Sequence, residues 1–106
     1  MKPSRKLLKQ LTQAIVDLVH PKRIILFGSA ARGDMGKHSD LDVMVVMPDG
    51  IHRRDTAGEL YKELWDLGHS KDIVVVTESD LVQYGSNPYM VIYHALKEGR
   101  ELYRAA

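Results

Sequence analysis

Cysteine is missing altogether from this 106-residue chain, which removes disulfides, zinc–thiolate sites and thiol nucleophiles together. That absence is compatible with a reducing compartment, and a cytoplasmic protein is expected. No apolar run approaches the ~20 residues that a membrane-spanning helix needs. The basic start, Met1-Lys2-Pro3-Ser4-Arg5-Lys6, leads into an amphipathic stretch rather than a continuous apolar core, so a secretory leader is not expected either. A charge excess of one sign is also lacking: 15 Lys+Arg against 14 Asp+Glu leave +1. Charge alone therefore gives no basis for direct nucleic-acid binding. There is no internal repeat, low-complexity tract or linker. What remains is one domain, residues 1–106, able to bury a single core with little stability to spare.

Hydrophobic periodicity orders the chain. Leu7, Leu8, Leu11, Ala14, Ile15, Leu18 and Val19 recur at three- and four-residue spacing, predicting an amphipathic helix over residues 4–19 with Ser4 as its N-cap and Pro21 beyond its end. Arg23 to Phe27 is a short β-branched run and reads as a strand. Gly28, Gly33 and Gly36 then punctuate a polar stretch, a loop or short helix followed by a loop. Leu41 to Met47 is a second strand, closed by Pro48-Asp49-Gly50. A helix is predicted over residues 52–67, with Ala57, Leu60, Tyr61, Leu64 and Leu67 inward and Gly68 as its stop. Asp72 to Thr77 is the third strand. A helical turn over residues 79–85, a helix opened by Asn87-Pro88 and closed by Gly99, and a short strand or tail over residues 100–104 complete the chain. The pattern is an α/β fold: a small mixed sheet with helices packed on it.

One segment carries chemistry. Phe27-Gly28-Ser29 is followed, after ten residues, by Asp40-Leu41-Asp42 at the mouth of a hydrophobic strand. Side chains two apart on an extended chain share a face, so the two carboxylates stand side by side. Like charges so close repel, and a divalent cation is the usual remedy; all-oxygen ligands suit Mg²⁺ or Mn²⁺. Residues 48–71 between strands two and three contain a helix, the length of a crossover between parallel strands. Parallel strands begin at one edge, which brings Asp72 beside Asp40 and Asp42. If strands one and two are antiparallel, Gly28-Ser29 reaches the same rim. Gly28 would then let the backbone approach phosphate oxygens, with the Ser29 hydroxyl beside it. Arg32 would neutralise phosphate charge with its planar fork. Two metal ions about 3.5–4 Å apart suit in-line displacement at phosphorus.

The combination Gly28-Ser29-x10-Asp40-x-Asp42 with a later strand-borne Asp72, in the run GSAARGD…SDLDVMVV, resembles the polymerase-beta-type nucleotidyltransferase superfamily and its minimal, stand-alone members. The closing Ala95-Leu96-Lys97-Glu98-Gly99-Arg100-Glu101-Leu102-Tyr103 resembles their usual ending, so the likeness runs from Ile24 to Tyr103. It implies that Asp40 and Asp42 ligate both Mg²⁺ ions, that Asp72 ligates the catalytic one and helps deprotonate the attacking hydroxyl, and that Gly28 and Ser29 hold the β- and γ-phosphates of ATP. One departure stands out: several members carry a basic residue directly after the Gly-Ser pair, where this chain has Ala30. Minimal members resemble the antitoxin half of a toxin–antitoxin pair. Their partner is a helical HEPN-type ribonuclease, in a hetero-oligomer, and the inferred reaction moves AMP from ATP onto a partner tyrosine. With the last helix so near the end of the sequence, a separate acceptor domain is not expected, and an acceptor supplied by a partner is.

Plainer roles stand beside these. Asp40 and Asp42 would also serve as turn caps, Asp72 as an answer to Lys71, Gly28-Ser29 as a tight turn, and Arg32 as a surface ion-pair partner. Lys37 and His38 tempt as phosphate or metal contacts but read as surface residues. His20, His52, His69 and His94 are too scattered for a metal site, and Trp65 and the tyrosines read as core edge or partner contacts. At the level of function, an inactive binding subunit and an Mg²⁺-dependent phosphatase or nuclease remain open alternatives.

Overall fold

A computed structural model describes residues 2–36 and 39–106. Helix α1 (Arg5–Val19) starts where the Ser4 hydroxyl accepts the Leu7 amide, satisfying one of the donors that a helix start leaves unpaired. Leu8, Leu11 and Ile15 form its buried stripe, whereas Leu18 is 38 % exposed and belongs to the solvent side. Strand β1 (Arg23–Phe27) leads directly into a five-residue helix α2 (Gly28–Arg32), and β2 follows at Leu41–Met47. Helix α3 (Arg53–Glu63) is shorter than the pattern predicts. It gives way to a separate 3₁₀ turn, Trp65–Leu67, before Gly68. The His52 ring, at the other end of α3, caps it by accepting the Asp55 amide.

Strand β3 (Lys71–Thr77) begins one residue earlier than predicted, so Asp72 is its second residue. Helix α4 (Glu78–Tyr84) is opened by a reciprocal cap between Thr77 and Asp80. Helix α5 (Val91–Glu98) starts three residues after Pro88 rather than at it. Asn87 explains the delay: its side-chain oxygen accepts the Tyr89 amide and its carbonyl the Met90 amide, a local turn that competes with helix. Residues Arg100–Arg104 form a strand, β4, not a tail.

The sheet order is β3-β2-β1-β4, with β1 antiparallel to both neighbours and β2 parallel to β3. β2 is therefore central, and it is buried on both faces. One face, bearing Leu41, Val43, Val45 and Ile73, packs on α1 and α3. The other, bearing Ile25, Met44, Val46 and Val76, packs on Ile92 and Ala95 of α5. Among the described residues no helix is long and apolar enough to cross a membrane.

Candidate active site

The register of the sheet assembles the site. Phe27 of β1 faces Asp42 of β2, and Asp42 faces Asp72 of β3. In a parallel pair, residues in register show the same face, so Asp42 and Asp72 stand side by side at about one strand spacing, ~4.8 Å between backbones. They share the face of Met44 and Val46, toward α5. The same register, extended two residues before the Asp42–Asp72 pair, sets Asp40 against Ser70, whose hydroxyl donates to Asp40 Oδ1. Asp40 and Asp72 are exposed, and Asp42 is half-buried.

Gly28 holds this arrangement open. Its φ is +68°, and a Cβ added there would overlap Asp42 Oδ2 and lie 3.1 Å from Asp42 Cγ. Any side chain at position 28 would thus be strained in its backbone and would displace the carboxylate. The glycine is required by Asp42, before any ligand is considered.

Electrostatics follow from the crowding. Burial pushes the Asp42 pKa up, the negative charges of Asp72 and Asp40 push it further, and the Arg32 guanidinium pulls it back. Arg32 thus reaches Asp42 by its field, although its close partners are Asp34 (3.2 Å) and Glu98 (3.7 Å). The Ser29 carbonyl accepts the Gly33 and Asp34 amides, closing the turn after α2, and its hydroxyl has no hydrogen-bond partner among the described residues. Lys37 and His38 lie outside the described residues. Elsewhere His20 ends α1 in the left-handed region, His94 bonds the Pro88 carbonyl at 2.9 Å, and His69 keeps a buried Nε2 with no hydrogen-bond partner among the described residues.

Two hydroxyls that sequence reasoning passed over touch the acids. Ser70 is one; its signal was available, because a parallel register pairing Asp42 with Asp72 also sets Ser70 against Asp40. Tyr61 is the other. The helical stripe predicts it inward, yet it is 41 % exposed, and its hydroxyl lies 3.4 Å from Asp72 Oδ1. The same oxygen accepts the Ile73 amide at 2.8 Å. Because the Leu41 amide donates to the Ser70 carbonyl, the pleat turns Ile73 N–H away from β2, toward the open edge of the sheet. Tyr61 caps that edge amide, which leaves its own proton for Asp72.

The donor set decides whether a divalent cation suits the site. All of its groups are carboxylate oxygens, and the mutual repulsion written into Asp42 is the kind a cation relieves. Yet among the described residues no three acids close into a cage that could hold an ion. Asp40 is turned to Ser70 and Asp72 leans toward Tyr61. Asp42 and Asp72 therefore fit as a ligand pair, and Asp40 would join them on leaving Ser70.

Curated protein sequences return no match. A crystal structure of a toxin–antitoxin with AMP-PNP has a TM-score of 0.60 at 20% identity, covering 92% of this chain and 73% of the other. A tri-AMPylated HEPN toxin in complex with MNT antitoxin, from Shewanella oneidensis, has a TM-score of 0.56 at 18% identity, covering 95% and 72%. At such identities the likeness is one of fold. Residues 9–106 match the family described as Polymerase beta, Nucleotidyltransferase, and with nearly the whole chain matched, the mixed sheet and its aspartate-bearing rim belong to a member of that family.

Proposed function

We propose that this chain moves AMP from ATP onto a hydroxyl of a partner protein, a tyrosine of a HEPN-type helical toxin, and so acts as its antitoxin. The observation that carries the reading is Asp42 and Asp72 in register on one face, beside a glycine whose missing side chain makes room for Asp42. Gly28 and the Ser29 hydroxyl hold the β- and γ-phosphates, and Arg32 offsets their charge. Asp72 accepts the proton of the attacking hydroxyl. That oxygen forms a bond to the α-phosphorus, the α–β bridging bond breaks, and pyrophosphate leaves with the electron pair. Mg²⁺, when held by Asp42, Asp72 and Asp40, supplies positive charge for the attacking and leaving oxygens. AMP and the HEPN partner are supported by the fold neighbours, one with AMP-PNP and one with an AMPylated HEPN toxin.

A second reading, an inactive binding subunit that neutralises its partner by complex formation, is favoured by one observation: Asp40 is engaged by Ser70 rather than joined to the other two acids. Purified protein given α-labelled ATP, Mg²⁺ and the cognate helical partner distinguishes the two. Label is expected on the partner, γ-label is not, and Asp72→Asn is expected to slow transfer by orders of magnitude. Tight partner binding without transfer from any of the four NTPs would establish the binding subunit. Transfer of γ-label would instead make the protein a kinase.

A further inference from the structure

Arg32 is the only cation of α2. Ala30, which follows Gly28-Ser29, is 3 % exposed and packs into the core, so no charge enters the site from that position. What α2 offers a phosphate chain therefore depends on how one guanidinium is held. Two carboxylates hold it. Asp34, from the turn after α2, accepts from Nε at 3.2 Å, and Glu98 Oε2, at the end of α5, lies 3.7 Å from Nη1.

Glu98 is out of place by the rules of its own helix. It is the last residue of α5, where the helix dipole favours a cation. The neighbouring Lys97 turns instead to the Tyr93 hydroxyl at 3.3 Å. Among the described residues, Arg32 is the only cation paired with Glu98. The junction behind it is tightly built. A Cβ on Gly99 would overlap the Ala95 carbonyl oxygen, and would lie 2.5 Å from Ile25 Cγ2 and 3.0 Å from the Leu26 carbonyl oxygen. Glycine lets the end of α5 press this closely on β1, just before the chain turns into α2. That approach carries Glu98 to Arg32.

We propose that Glu98 is a positioning residue, holding the Arg32 guanidinium in place for the phosphate chain before a nucleotide arrives; the proposal rests on the nucleotidyl-transfer reading above. The two side chains are 48 % and 46 % exposed, so the pair contributes little to stability. It instead restricts a long, rotamer-rich side chain in advance, which lowers the ordering cost of binding. The sign of the effect separates this role from plain charge. A carboxylate near a triphosphate repels it, so by charge alone its removal would tighten ATP binding. Positioning demands the reverse.

ATP binding to the full chain, measured by calorimetry with Mg²⁺, tests the sign. Glu98→Gln is expected to weaken binding about three- to fivefold, the range of an exposed ion pair, with Tm within about 4 °C of wild type. In an Arg32→Gln background the same change should have no effect, because nothing remains for it to couple to. In nucleotide-free protein, the heteronuclear NOE of the Arg32 Nε–H group should fall in Glu98→Gln, as the guanidinium is released. ATP binding by Glu98→Gln equal to or tighter than wild type would overturn the role of Glu98 and leave the transfer reading intact. So would an undiminished loss in the Arg32→Gln background, or an NOE that does not move. A wild-type protein that binds no nucleotide would instead overturn the transfer reading, and the role of Glu98 with it.

Discussion

Gly28 and Asp42 are a matched pair: the absent Cβ of one is the space occupied by the carboxylate of the other. Gly28→Ala is expected to cost about 1–2 kcal/mol, the cost of a left-handed backbone for an L residue, read by denaturant unfolding. It should also displace Asp42 and so reduce the rise in Tm that Mg²⁺ or Mn²⁺ gives by ligand linkage. A full metal-dependent rise in this variant would show that Asp42 does not need the space. Asp42 itself is held against its preference. Its raised pKa means that the folded state binds the proton more tightly than the unfolded chain. Its contribution is therefore most favourable below the unfolded pKa and falls as pH rises through the folded value. At neutral pH the ionised group is a burden on the metal-free protein. Asp42→Asn is thus expected to raise the metal-free Tm while abolishing most of the metal-dependent shift. A lower Tm would mean that crowding and burial do not govern the contribution of Asp42.

At the scale of elements, the end of β3 opposite the acids is built for stability. Thr77 and Asp80 cap each other at the start of α4, and Arg53, the first residue of α3, clasps both Asp80 oxygens at 2.8 Å. One buried carboxylate thus ties the start of α3 to the junction of β3 and α4. Asp80→Ala should destabilise the fold by about 2 kcal/mol, the usual size for a lost cap plus charge-assisted bonds. ATP binding should be unchanged, because Asp80 lies at the far end of β3 from Asp72. Loss of ATP affinity equal to that of an Asp72 variant would show that the two ends are coupled. The strands themselves were legible within one residue, because short β-branched runs bounded by Pro and Gly have few other readings. The helices were less so. The stripe from Ala57 to Leu67 fits one long helix, but Leu64 ends α3 and Trp65–Leu67 turns more tightly. Burial of Leu60 and Leu64 against the sheet is kept either way, so periodicity does not separate the two.

Over the whole molecule the titrating carboxylates pull in opposite directions. Asp49, Asp80 and Glu101 have pKa values lowered by hydrogen bonds, from Ser79, Arg53 and Arg104 respectively. Each contributes stability above its unfolded pKa that is lost as pH falls through the folded value; Asp42 alone does the reverse. Metal-free protein is therefore expected to lose stability on acidification below the ordinary carboxylate range, with Asp42→Asn preserving that loss. Denaturant midpoints measured across acid pH test this, and a midpoint that rises on acidification would mean that Asp42 dominates. The fold class, the three main strands, and the convergence of Gly28-Ser29, Asp40, Asp42 and Asp72 on one rim followed from the sequence by itself. Side-chain alternation, crossover length and turn chemistry are local rules, and they suffice to say which edge of a sheet a residue occupies. What lay beyond them was decided by tertiary structure. The positive φ of Gly28 answers to Asp42, fourteen residues away in sequence. Asp40 turns to a serine and Asp72 to a tyrosine of helix α3, and Trp65 is left 80 % exposed. Such contacts depend on which side chain arrives in the last few ångströms, once the packing of α3 against the sheet has been settled, and no spacing along the chain encodes that distance.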